Sequence, residues 1–81
     1  REKYFMNVKS LNETKAGDIV KVVEIKNSLA HLQALRFGIN PGAIITTITH
    51  ITNGPVVINL GYQEIAIGAN LAKSIVVKEV N

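Results

Sequence analysis

Apolar positions crowd the segment from Ile19 to Lys26, which is dense in β-branched residues, with Ile19, Val23 and Ile25 on one face around Lys21 and Val20 and Val22 on the other. Such residues fit a pleated surface, and apolar positions on both faces predict a first strand buried on more than one side. The pattern changes at Ser28, a residue suited to an N-cap. The nine residues from Leu29 to Phe37 contain no β-branched residue, glycine or proline, which predicts a short helix. Gly38 stands where a C-terminal cap needs positive φ, Arg36 suits the last turn, and Pro41 bars continuation. Pro41-Gly42 has the order of a type II turn.

A second β-branched run, Ala43 to Thr52, divides into Ile44, Ile48 and His50 on one face and Ile45, Thr47, Thr49 and Ile51 on the other. Asn53-Gly54-Pro55 interrupts it, Val56 to Leu60 resumes, and Gly61-Tyr62-Gln63 turns the chain into Glu64 to Ile67. Gly68 to Ser74 reads as a loop with one helical turn capped by Asn70. Ile75 to Val80 supplies a fifth strand. Five short strands and one helix leave exposed sheet edges unless the sheet closes, so the expected architecture is mainly β: a small five-stranded barrel with one short α-helix. Residues 1–10 show no clean periodicity and are read as an N-terminal extension, with Met6 a candidate start. The domain proper is placed at residues 11–81.

Composition narrows the chemistry. In 81 residues, 47% are hydrophobic and 19% charged, the balance of one folded domain. The absence of cysteine removes disulfides, thiolate metal sites and cysteine nucleophiles. No apolar run reaches the roughly 20 residues of a membrane-spanning helix, so no membrane insertion is expected. The net charge of +3 is scattered along the chain, and Tyr4, Phe5, Phe37 and Tyr62 lie outside any basic cluster, a pattern unlike a nucleic-acid interface.

His31 and His50 have no sequence-near partners that would complete a ligand set, and nothing places a nucleophile beside a base. The reading is therefore non-enzymatic, with no catalytic, cofactor or metal residue assigned. The glycines sit at separate turns and form no phosphate cradle.

The helix offers the one interaction candidate. At 100° per residue it carries two apolar arcs, Ala30/Ala34/Phe37 and Leu32/Leu35, separated by His31, Gln33 and Arg36. One arc packs on the sheet. The other is either a docking surface or is covered by Leu71 or by Tyr4-Phe5.

The ordered pieces Gly38-Ile39-x-Pro41-Gly42 after a helix, Gly54-Pro55-Val56, Gly61-Tyr62-x-x-Ile65-Ala66-Ile67 and Ala72-x-x-Ile75-x-Val77 resemble FeoA domains over Leu11 to Val80. That resemblance implies an SH3-like barrel, found alone or at the C-terminus of iron- and manganese-dependent repressors, and the chain looks like the stand-alone form. It further implies a small cytoplasmic accessory protein of ferrous iron transport, at the inner face of the membrane through its partner. That partner is a FeoB-type iron permease, contacted through its cytoplasmic GTP-binding domain. Leu32, Leu35, Arg36, Pro41 and Gly42 are the expected contact residues. A regulatory or metal-sensing role with a metal-dependent repressor is the alternative. Homodimerisation and transient binding of a divalent ion such as ferrous iron stay open, the latter without a ligand cluster behind it. Two positions depart from the family's pattern: Gln33-Ala34 replaces an Arg-Leu pair, and Ile67-Gly68 replaces a Leu-Arg pair.

Overall fold

The computed structural model describes residues 8–80, and Tyr4, Phe5 and Met6 lie outside them. Six strands and two helices follow in order: β1 (Val8–Ser10), a 3₁₀ turn (Leu11–Glu13), β2 (Ile19–Ile25), α1 (Ser28–Arg36), β3 (Ile44–His50), β4 (Val56–Leu60), β5 (Gln63–Ile67), α2 (Ala69–Ser74) and β6 (Ile75–Glu79). The strands form one antiparallel sheet in the order β1-β6-β2-β3-β4-β5.

The expected five-stranded closed barrel with a single helix is therefore replaced by an open six-stranded sheet with two helices. Val8–Ser10, read as part of an extension, pairs with β6 as the sixth strand. Closure is unnecessary for two reasons. The edge strands are short and charged, with Lys9 on β1 and Glu64 on β5, which blunts further pairing. The open core is also covered by helices, since Leu11, Ala30, Ala34, Leu71 and Ala72 join the strand residues Val20, Val22, Ile45, Ile58 and Val77 in one buried cluster.

Two irregularities in the ladders decide which strand residues reach that core. A register shift between Val22 and Glu24 inserts one residue into β2 against β6. Ile19 and Val23 accordingly stay exposed while Ile25 turns inward, although simple alternation puts all three on one face. A second shift, between Thr47 and Thr49, does the same on β3, where Ile45 and Thr47 are buried and Thr49 and Ile51 are exposed.

The helix boundaries rest on identifiable hydrogen bonds. Asn27, rather than Ser28, caps α1: its backbone is extended and its Oδ1 accepts from the Ala30 amide at 2.8 Å. Its Nδ2 donates to Ser74 Oγ at 3.1 Å, tying the start of α1 to the end of α2. At the other end Gly38 has φ +78°, its amide donates to the Leu35 carbonyl, and the Ile39 amide donates to that of Ala34. This is a Schellman closure, and it drops Ile39 into the core. Helix α2 begins at an extended Gly68 without a capping side chain, so Asn70 is inside it and not its cap.

Candidate interaction face

The buried side of α1 is made of small residues and its exposed side of large ones. Ala30 and Ala34 are in the core, letting the helix lie close to the sheet. Leu32 is 64% exposed and Leu35 54% exposed. At 100° per residue Leu32 stands about 180° from the line between Ala30 and Ala34, so no rotation of α1 could bury both. Leu71 belongs to the core and leaves these leucines uncovered.

Arg36, the last residue of α1, is exposed, as are Pro41 and Gly42 five and six residues later. The Pro41-Gly42 turn has the expected form: Gly42 has φ +97° and the Ala43 amide donates to the Asn40 carbonyl at 2.9 Å. It is anchored by the Gly42 amide, which donates to the Val22 carbonyl on β2 at 2.8 Å. Leu29, absent from the sequence-derived contact set, is also largely exposed. Its position about 60° from Leu32 on the helical wheel was the available signal.

Beside this face, between α1 and α2, lies a cleft of about 480 Å³ whose lining includes Gln33, Arg36, Phe37, Gly68 and Leu71. The two departures from the family pattern, Gln33 and Gly68, thus meet at one place. Among the described residues Arg36 is the only charged one in the lining. A second, smaller hollow continues along α1 past Leu29 and Ala30.

Ion pairing among the described residues joins β1 to β6 and to the residue that precedes β2. Lys9 Nζ lies 3.0 Å from Glu79 Oε2 and 3.5 Å from Asp18 Oδ2. Its hydrogen bond to Glu79 raises the Lys9 pKa above the ordinary lysine value. Asp18 is held below the usual carboxylate range, first by the Lys15 amide donating to Oδ2 at 2.9 Å and then by the nearby Lys9 charge.

His31 is exposed on α1, and His50 is the last residue of β3. The His50 Nδ1–H donates to the Thr14 carbonyl at 3.0 Å, because a carbonyl can only accept. Among the described residues no group of three or more His, Cys, Asp or Glu side chains could hold a metal ion, and no helix is long and apolar enough to cross a membrane.

A small antiparallel sheet with an outward-facing apolar helix defines an interaction module. The chain belongs to the FeoA domain family, which matches residues 9–79. FeoA domains are non-catalytic adaptor or regulatory modules, with a place in ferrous iron transport.

Among solved structures, the chain is 32% identical to an iron uptake regulatory protein (FeoA), with a TM-score of 0.86 over 90% of this chain and 99% of that one. A FeoA-like protein from Clostridium acetobutylicum aligns at 23% identity and TM-score 0.82, covering 93% and 90% of the two chains. A manganese-dependent transcriptional repressor shares the fold, at 15% identity and TM-score 0.83, over 90% of this chain but only 37% of its own. No curated protein sequence gives a match.

Proposed function

We propose that this protein is a cytoplasmic adaptor that docks through the outer face of α1 on the GTP-binding domain of a FeoB-type iron permease and modulates ferrous iron uptake. The observation that carries this reading is the inverted helix: Leu32 and Leu35 are exposed while alanines fill the core. Large aliphatic side chains held on a rigid, well-capped helix are suited to anchoring in a partner's apolar groove. Arg36 adds a charge that can pair with an acid at the rim, and the Pro41-Gly42 turn extends the surface beyond the helix. Membership of the FeoA family supports the permease as partner.

Pull-down of the permease from membranes and an iron-uptake assay, run with wild type and with Leu32→Glu/Leu35→Glu, test this reading. Circular dichroism first establishes that the variant is folded. Reduced capture and altered uptake are expected, and equal behaviour of the two proteins would refute the assignment.

A further inference from the structure

On the outer face of the sheet, opposite the side on which α1 packs, a cross-strand row runs through Val8, Lys78, Lys21 and Ile44 on β1, β6, β2 and β3. All four are exposed, whereas their strand neighbours Val20, Val22 and Val77 are buried. Lys21 and Lys78 are therefore like charges placed directly opposite each other, an arrangement that costs stability in an antiparallel pair. Their other cross-strand neighbours are aliphatic, Val8 beside Lys78 and Ile44 beside Lys21. Among the described residues neither lysine makes an ion pair.

The surround is apolar. Val8, Ile19, Val23, Ile44 and Val80 are each between 40% and 47% exposed. Ile19 and Val23 flank Lys21 along β2, and the Val80 amide donates to the Ile19 carbonyl at 3.0 Å, which keeps Val80 beside them. Single exposed aliphatics are ordinary, but five gathered around two positive charges that have no ion-pair partner among the described residues mark a contact surface.

We propose that this face is a second docking surface, distinct from α1, for a protein segment that presents two carboxylates between apolar side chains. Charge complementarity selects that occupant. A second copy related by two-fold symmetry would bring four lysines together. Among the described residues no aromatic side chain stands in the patch to stack on a base. The aliphatics are short, β-branched and half covered by their neighbours, a shape suited to another protein's side chains and not to insertion into a bilayer. With α1 on the opposite side of the sheet, the domain has two separate contact faces.

The test requires no permease. The full chain, isotopically labelled, is titrated with the peptide Val-Thr-Glu-Thr-Glu-Thr-Val, whose alternating residues put both carboxylates and both valines on one side of an extended strand. The same peptide with Gln for Glu and vesicles of phosphatidylserine in phosphatidylcholine form the other arms. Saturable shifts of Lys21, Lys78, Ile19 and Ile44 with the Glu peptide alone are expected, weakened about fivefold by Lys21→Ala. Lys21→Glu abolishes them while raising Tm by about 2–4 °C, because it relieves the opposed charges. Absence of shifts, an equal response to the Gln peptide, or binding to the vesicles alone would overturn the proposal.

Discussion

The hydroxyl of Thr47 on β3 lies 2.7 Å from that of Thr14, 33 residues earlier in the chain, and both are buried. Thr14 Oγ1 donates its proton to the Leu11 carbonyl at 2.8 Å, so it accepts the proton of Thr47. The Thr14 carbonyl in turn accepts from His50. Thr14 thereby joins the 3₁₀ turn, whose Leu11 is in the core, to two positions on β3.

This arrangement makes the two threonines unequal. Thr14→Val strands the Thr47 hydroxyl without a partner and should cost about 1–3 kcal/mol, whereas Thr47→Val leaves the Thr14 hydroxyl its bond to Leu11 and should cost about 1 kcal/mol. The double variant should recover part of the Thr14→Val loss. Urea unfolding of the three proteins checks the order.

Two glycines give a second contrast. Gly38→Ala meets no steric obstacle, its nearest new neighbour being Leu60 Cδ2 at 4.0 Å, but it must hold φ near +78°. The expected cost is about 1–2 kcal/mol. Gly68 has φ −61° and open space around it, so Gly68→Ala should change stability by less than about 0.5 kcal/mol. Thermal melts of both variants decide the point.

On α1 side-chain size and burial are reversed, and substitution should show it. Ala34→Leu forces extra volume into a packed core and should destabilise by about 1–3 kcal/mol. Leu32→Ala removes an exposed side chain and should stay within about 0.5 kcal/mol. Chemical denaturation of the pair separates this orientation from one with the leucines inside.

The Lys9, Asp18 and Glu79 cluster predicts how stability responds to pH. The Asp18 pKa is lowered from its ordinary 3.8, so its contribution is complete above that value and is lost as pH falls through the lower folded pKa. The Lys9 pKa is raised from 10.5, so its contribution is complete below 10.5 and is lost as pH rises through the higher folded pKa. Tm measured against pH should fall at both extremes, with Asp18→Asn flattening the acid limb and Lys9→Met the alkaline one.

Much of the fold was legible because it depends on local chemistry. Period-two β-branched runs located five strands, and Gly38 and Pro41-Gly42 marked a helix end and a turn that form as expected. What escaped depends on residues distant in sequence. Val8–Ser10 is too short to show a period and becomes a strand only through β6. Helix α2 has six residues and a glycine cap, so it lacks a start signal. Ile25 could not be placed because the bulge that turns it inward exists only in the pairing of β2 with β6. Closure was expected from the hazard of bare edges, which short charged edge strands and a helical cover answer differently. For the candidate site, the wheel of α1 separated its two apolar arcs, while the depth available above the sheet, which selects alanine for the inside, is a tertiary quantity.

The central claim is that the leucines of α1 hold the permease. Its most direct test is the affinity of the chain for FeoB reconstituted in nanodiscs, measured for wild type and Leu32→Glu/Leu35→Glu. The account predicts saturable binding by wild type, and a loss of about tenfold or more, equivalent to about 1.4 kcal/mol, for the leucine variant at unchanged Tm. Equal affinity of the two proteins would contradict it.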